Sequence, residues 1–188
     1  MARSLPLALL VAAASIRLVT APPPPAVLRT KETIIDHFRY TNNHTFTQQW
    51  LLHDAYWSAG RPLFVFVGGE GAVQDFYENS GGVFELAEQA GALVAMLEHR
   101  YYGYSLPFGP GASYEPHGLH FLSVEQALAD LSVFIEHLKI ERACARGASP
   151  VVLFGGSYGG ALFAITRASC LTGLQACWLR GTAGRTRT

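Results

Sequence analysis

One serine of this chain stands in a context that can make it a nucleophile. Ser157 is the centre of the segment Gly155-Gly156-Ser157-Tyr158-Gly159, which matches the pattern G-x-S-x-G. Residues 151–154 before it form an apolar run, and residues 161–165 after it have helical character. A serine on a sharp turn between a strand and a helix projects its hydroxyl above the sheet, and small flanking residues avoid clashes there. The pattern predicts a catalytic serine; the alternative is a tight glycine turn with a bystander serine.

Acyl transfer by a serine also needs hydrogen-bond donors for the oxygen that becomes negative, and two places can supply them. The backbone N–H of Tyr158 lies at the start of the predicted helix, where the helix dipole assists. A second donor is expected in the loop after an earlier strand, and Gly69 and Glu70 directly follow the apolar run 63–67. We predict oxyanion donors at Tyr158, Gly69 and Glu70, although the glycine loop alone is also compatible with a simple turn. The Glu70 side chain could bind a substrate amine or cap the next segment.

A third segment, residues 98–103, ends the apolar run 93–97 and reaches the same sheet edge, where α/β proteins bind ligands. We predict that Tyr101 and Tyr102 in this segment bind substrate. His99 could serve as a base, but we favour a structural hydrogen-bonding role for it. The seven histidines show no metal-ligand spacing such as H-E-x-x-H, so neither a metal nor another cofactor is predicted.

The elements that position these residues follow from hydrophobic patterning. The runs 63–67, 93–97 and 151–154 do not alternate with polar residues, which is typical of strands buried on both faces of a parallel sheet. A helix is predicted between the first two runs, with Ser80 as a cap and Gly91 at its end. A second helix is predicted between the last two, beginning with a capping box of Ser123 and Gln126. This alternation predicts an α/β fold with a doubly wound sheet, preceded by an antiparallel edge strand at residues 45–52.

Length and composition exclude several classes of protein. The 188 residues suit one domain, and 49% hydrophobic residues rule out global disorder. The 14 basic and 14 acidic side chains cancel, so no overall field attracts nucleic acid. No nucleic-acid partner is therefore predicted.

The N-terminal region has the features of a secreted protein. Residues 5–16 are an apolar run behind Arg3, followed by small residues, which predicts a signal peptide over residues 1–21. The run is too short for a stable membrane span; a noncleaved amphipathic N-terminus is the alternative. Residues 22–32 contain four consecutive prolines and are predicted to form a stiff, exposed spacer. Asn43-His44-Thr45 is a glycosylation sequon, so Asn43 is a predicted glycan site.

Several segments together resemble the lysosomal and secreted serine exopeptidases that include prolyl carboxypeptidase, dipeptidyl peptidase II and thymus-specific serine protease. The resemblance covers roughly residues 33–167. It implies an α/β-hydrolase domain over those residues, peptide substrates cleaved near proline or small residues, and a lysosomal or extracellular location. The matching segments are, in order, Asp36-His37-Phe38, Gly69-Glu70-Gly71, Glu98-His99-Arg100-Tyr101-Tyr102-Gly103, Ser105-Leu106-Pro107-Phe108-Gly109, Glu125-Gln126-Ala127-Leu128-Ala129-Asp130 and Gly155-Gly156-Ser157-Tyr158-Gly159-Gly160.

The chain departs from the α/β-hydrolase pattern after its serine. In these enzymes the acid and the histidine of the triad follow the nucleophile, but no Asp, Glu or His occurs after Ser157. We therefore expect an incomplete fold, running from the N-terminal strands through the nucleophile turn and its helix, with a divergent tail at residues 168–188.

Three functions remain open at this stage. The first is a serine-type exopeptidase that uses an acyl-enzyme mechanism, of which this chain is a truncated part lacking the triad Asp and His. The second is a catalytically silent fragment or partner-binding isoform. The third is an esterase or lipase, which would share the serine turn but leave the other matching segments unexplained.

Overall fold

The computed structural model describes residues 23–41, 43–144, 149–168 and 174–180. The predicted signal peptide lies outside these residues. Within them, six strands form one mixed sheet in the order β1-β2-β4-β3-β5-β6. The strands are β1 Val27–Ile34, β2 Thr45–His53, β3 Leu63–Val67, β4 Leu93–Leu97, β5 Val151–Gly156 and β6 Leu174–Arg180.

Strand direction divides the sheet into two parts. Strand β2 is antiparallel to both β1 and β4, whereas β4, β3, β5 and β6 are parallel to one another. The chain passes from β3 to β4 on one side and then returns to β5 on the other side of β3. Such a reversal opens a crevice at the carboxyl ends of the strands, which is where open α/β sheets bind ligands.

Helices cover both faces of the sheet. Four helices lie in the described residues, together with two short 3-10 turns, Ala112–Tyr114 and Leu119–Phe121. One apolar cluster packs α3 and α4 on one face, and a second packs α1 and α2 on the other. Burial on both faces explains why β3, β4 and β5 have almost uninterrupted apolar sequences. The helices are α1 Val73–Glu78, α2 Gly81–Ala90, α3 Val124–Glu141 and α4 Ser157–Ala168.

The helix ends confirm part of the predicted capping. Gly91 ends α2 in the left-handed conformation, with φ of 63°. Ser80 precedes α2 but makes no side-chain cap. At α3 the Ser123 hydroxyl accepts from the Gln126 N–H at 3.3 Å. The reciprocal half of the predicted capping box is wrong, because the Gln126 side chain bonds to Asp36 and to the His37 N–H instead.

Two predictions about the flanks of the sheet need correction. The segment 45–52 was expected at the sheet edge, but β2 is internal because β1 pairs with it along the whole length of β1. The expected exposed spacer, residues 22–32, contains most of β1, and Tyr77 donates its hydroxyl to the Pro23 carbonyl. Strand β6 lies within the expected tail, residues 168–188, and pairs with β5, while the divergence of this tail stays a prediction. Strand β1 has a half-exposed pattern rich in charged and hydroxyl residues, so it lacks the apolar run of a buried strand.

Candidate active site

Ser157 occupies a sharp turn between β5 and α4. It is the first residue of α4, it is exposed, and its φ is 51°, in the left-handed region. For a residue with a Cβ this conformation costs on the order of 1–2 kcal/mol. Strain of this kind persists where the surrounding structure fixes the backbone, and it is common at functional sites. The structure thus confirms the predicted strand, turn and helix around an accessible serine.

The first turn of α4 packs closely against the end of β3. A Cβ on Gly159 would lie 2.5 Å from the Val67 carbonyl oxygen and 3.2 Å from that of Gly68. A Cβ on Gly155 would lie 2.8 Å from the carbonyl carbon and oxygen of Gly159. Real Cβ atoms do not approach backbone this closely, so both positions require glycine. The predicted reason for these two glycines is confirmed.

The loop after β3, residues 68–72, lies beside this turn. Gly69 is buried, and a Cβ on it would be 3.6 Å from the Gly159 nitrogen. Tyr158 belongs to the first turn of α4, where backbone N–H groups have no partner inside the helix. The structure therefore brings Gly69 against the first turn of α4, to which Tyr158 belongs. Their role as oxyanion donors, together with that of Glu70, remains a prediction.

Two tyrosines with a raised pKa, Tyr102 and Tyr158, lie in this region together with Glu70. Desolvation raises the pKa of the Tyr102 and Tyr158 phenols, and the negative charge of Glu70 adds to both increases. Glu70 itself is exposed, and Tyr102 and Tyr158 are partly buried. These three residues form a partly open surface carrying one carboxylate. The substrate-binding role of Glu70 and Tyr102 stays a prediction.

His99 lies between the two tyrosines. Its ring centroid is 5.4 Å from that of Tyr102 and 5.3 Å from that of Tyr158. Its Nδ1–H donates to the Arg100 carbonyl oxygen, while its Nε2 is enclosed and has no hydrogen-bond partner among the residues that the structure describes. Burial lowers the pKa of His99, which favours the neutral ring. His99 thus makes no bond to Ser157, and the expected structural role fits its contacts.

Tyr101 does not occupy the predicted place in a substrate pocket. It is only 1% exposed, and its hydroxyl donates to the Gly118 carbonyl oxygen. Its own carbonyl accepts from the Tyr114 hydroxyl at 2.7 Å. The φ of Tyr101 is 72°, and this unusual backbone turns its side chain into the core. Tyr101 therefore holds the long loop after β4, and its predicted substrate-binding role does not fit its buried position.

Asn43 is exposed, as a glycan acceptor must be. No group of three His, Cys, Asp or Glu side chains in the described ranges could hold a metal ion. None of the helices in these ranges is long and apolar enough to cross a membrane.

Comparison with known proteins identifies the family. Residues 33–171 match the family model described as "Serine carboxypeptidase S28". The chain belongs to the S28 family. It is 40% identical to mouse lysosomal Pro-X carboxypeptidase over 148 residues, 76% of this chain. It is 38% identical to human thymus-specific serine protease over 138 residues, 72% of this chain.

This S28 chain is much shorter than its relatives. The matched part covers 30% of the mouse carboxypeptidase and 26% of the human thymus-specific protease. The chain thus spans under a third of the length of the curated relatives it matches.

Solved structures show the fold. A cold-adapted esterase from an Arctic intertidal metagenomic library matches with a TM-score of 0.55 and 17% identity, covering 82% of this chain and 60% of that one. A thermostable carboxyl esterase from Bacillus coagulans matches with a TM-score of 0.55 and 17% identity, covering 84% and 45%. These likenesses establish a partial α/β-hydrolase fold for the S28 chain.

Four residues from the resembling segments of this S28 chain meet in one buried cluster. Asp130 on α3 binds Arg100 through two bonds, of 2.6 Å from Nε and 2.7 Å from Nη2. His37 donates from Nε2 to the same carboxylate at 2.8 Å. Gln126 accepts from the His37 N–H at 3.0 Å. Arg100 is fully buried and also donates to backbone carbonyls at Ile34, Ile35 and Phe121.

Sequence reasoning did not assign a role to this cluster. Its pairs lie far apart in the chain, 30 residues for Arg100 and Asp130 and 93 for His37 and Asp130. Their presence in the resembling segments was the available signal. The contacts show that these side chains tie the loop after β1, the end of β4 and helix α3 together. His37 and Asp130 form a histidine–carboxylate pair. Because Asp130 is only 2% exposed and also pairs with Arg100, this pair is part of the buried cluster.

Proposed function

We propose that this chain is the N-terminal part of a serine-type exopeptidase that acts through an acyl-enzyme. The observation that carries this proposal is the exposed Ser157 in a strained turn, with the β3 loop packed against its helix, in a chain of the S28 family. Peptides cleaved near proline or small residues are the proposed substrates. The name Pro-X carboxypeptidase, carried by relatives, supports this class.

The proposed reaction has two steps. The Ser157 Oγ attacks the scissile carbonyl carbon and passes its proton to a base, while backbone N–H groups of Tyr158 and of the 68–72 loop hold the carbonyl oxygen. The tetrahedral intermediate expels the leaving amine, which takes that proton, and an ester to Ser157 remains. Water then attacks the ester carbonyl and gives one proton to the base; the bond to Oγ breaks, the base passes that proton to Oγ, and the acid product leaves. Each step needs a group that can both accept and donate a proton.

That proton carrier is proposed to lie outside this chain. His99 faces the Arg100 carbonyl with one nitrogen, and its other nitrogen is enclosed. The triad order of α/β hydrolases places the acid and histidine after the serine, where this sequence has neither. We propose that these groups come from the longer S28 protein. The 188-residue chain alone is then catalytically silent, which keeps the partner-binding isoform as the second candidate for this form.

The decisive test compares two forms of the protein. The 188-residue chain should turn over peptides at no more than a trace rate, whereas a form extended by a downstream S28 segment should be active. Both are assayed on proline-containing dipeptide amides, acyl peptides and simple esters. An extended form that cleaves only esters contradicts the peptidase proposal and favours an esterase. Turnover by the short chain that depends on Ser157 would contradict the missing-base argument, and His99 would be the first candidate.

A secretory route with lysosomal or extracellular delivery is also proposed, in line with the names of the lysosomal relatives. We expect a glycan at exposed Asn43, so expression in a glycosylating cell should give a product whose gel mobility increases after N-glycanase treatment. Asn43→Gln should remove this shift. Asn79→Gln, which changes another exposed asparagine that is outside any sequon, should keep it. A wild-type product without the shift would contradict the prediction.

A further inference from the structure

Glu98 is a buried carboxylate that the proposed chemistry does not use. It follows the last residue of β4 at the carboxyl edge of the sheet and is fully buried. A buried charge is costly unless hydrogen bonds replace its water. Glu98 receives four such bonds, three on Oε2 and one on Oε1, so both oxygens are hydrogen-bonded.

One oxygen of Glu98 holds the loop that follows it. Its Oε2 accepts from the Tyr104 N–H at 3.0 Å, from the Ser105 N–H at 3.0 Å and from the Ser105 hydroxyl at 2.6 Å. The same hydroxyl accepts from the Gln49 N–H of β2 at 2.9 Å. This half of the carboxylate therefore fixes the loop after β4 against the sheet.

The other oxygen of Glu98 reaches the loop beside the nucleophile. Its Oε1 accepts from the Val73 N–H at 3.0 Å. Val73 is the first residue of α1 and directly follows the 68–72 loop, whose Gly69 packs against Gly159. An N–H at the start of a helix has no partner within the helix, so Glu98 supplies one from outside. The carboxylate thus links the loop after β4 to the loop after β3, which packs against the first turn of α4.

The space around this carboxylate is shaped to receive it. Gly103 has φ of 56°, and a Cβ there would lie 2.0 Å from Glu98 Oε1. Any side chain at this position would displace the oxygen that binds Val73. The glycine of the 98–103 segment therefore leaves room for the glutamate that begins the segment.

We propose that Glu98 is a positioning residue, which holds the 68–72 loop where its N–H groups can stabilise the oxyanion. This inference rests on the proposed function, because the loop needs a fixed position only if it serves acyl transfer. Glu98 does not touch substrate; it acts through the Val73 N–H and the backbone that precedes it. Preorganised donors account for a large part of oxyanion stabilisation, so a shift of this loop should reduce turnover more than binding.

The test begins with hydrogen exchange of the 188-residue chain, which needs no catalysis. The Val73 amide of the wild type should exchange slowly for a first helical residue. Glu98→Gln should speed this exchange at least about tenfold. The amide oxygen of the glutamine can still face the three donors of Tyr104 and Ser105, but its NH2 group then faces the Val73 N–H and cannot accept from it.

Ser105→Ala is the matched control, because it removes one donor to Glu98 but leaves the bond to Val73. Both variants should lower thermal stability, but only Glu98→Gln should loosen Val73. In the extended form, Glu98→Gln should lower kcat about 10- to 100-fold with KM changed less than about threefold. Ser105→Ala should lower kcat less than about threefold, at a temperature where both are folded.

Several outcomes would overturn the proposal. Rapid exchange of the Val73 amide in the wild type would contradict the proposal, and this measurement does not require that Glu98→Gln folds. If the two variants lower kcat equally, or if Glu98→Gln changes only KM, then Glu98 has a general structural role and the proposal is wrong. If the extended wild type cleaves no peptide, the proposed function fails, whereas slow exchange at Val73 that depends on Glu98 would still establish its hold on the loop.

Discussion

Ser157→Ala should abolish peptide hydrolysis in the extended form of the protein, with kcat lower by about 10⁴- to 10⁶-fold. The substitution removes the Oγ atom that carries the acyl group in the proposed mechanism. It retains the Cβ and therefore the strained backbone of the turn, whose φ is 51°. The fold should be unchanged, so the loss can be assigned to chemistry. The measurement is kcat on proline-containing peptides, together with labelling by a fluorophosphonate that reacts only with activated serines.

Ser58→Ala is the matched control for this experiment. Ser58 is also exposed, but it lies in the loop before β3, remote in sequence from the nucleophile turn. Its replacement should leave both turnover and labelling within about twofold of the wild type. Persistent labelling of Ser157→Ala would show that another residue is the nucleophile, and the proposed mechanism would then be wrong.

Asp130→Asn should destabilise the fold by about 3–5 kcal/mol, because it leaves the buried Arg100 charge without its counter-ion. Arg100 and Asp130 form a two-bond pair, and their side chains are 0% and 2% exposed. The asparagine has one acceptor oxygen in place of two, so it cannot keep both the Arg100 Nε bond to Oδ2 and the bonds of Arg100 Nη2 and His37 to Oδ1. Urea unfolding, followed by tryptophan fluorescence, measures the change in the free energy of unfolding.

Glu136→Gln provides the control on the same helix. The Glu136 side chain is 63% exposed and pairs only with Lys139 in the described structure. Loss of such a surface pair should change stability by less than about 0.5 kcal/mol. A loss below about 1 kcal/mol for Asp130→Asn would contradict the role given to the cluster. It would mean that water or a neighbouring group compensates the arginine charge.

The sequence predicted the structure best where the residue pattern of one short segment is enough to indicate its burial and backbone conformation. The runs that became β3, β4 and β5 are apolar throughout, and only strands covered on both faces tolerate that pattern. The position of Ser157 follows from a strand that must turn sharply into a helix, with glycines where the backbones touch. The predicted parallel sheet and the two crossover helices were confirmed for this reason.

The edges of the sheet were harder to predict. Strand β1 is half exposed and begins directly after the prolines, so its sequence resembles a linker until β2 is placed beside it. Tyr101 was assigned to the pocket because of its position at the sheet edge. In the structure Tyr101 has a φ of 72° and its side chain is buried instead. Such a backbone conformation is uncommon for tyrosine, so the residue type does not predict it.

The sequence by itself thus determined the turn at Ser157, the buried strands and the family to which the chain belongs. Each of these can be recognised from short runs of neighbouring residues. Tertiary structure alone decided the partners of the buried charges. Glu98 binds Val73, 25 residues away, and Asp130 binds His37, 93 residues away. A carboxylate is compatible with many donors, and only the packing of α3 and of the loops at the sheet edge selects among them. The proposed positioning role of Glu98 and the structural role of Asp130 therefore required the folded chain.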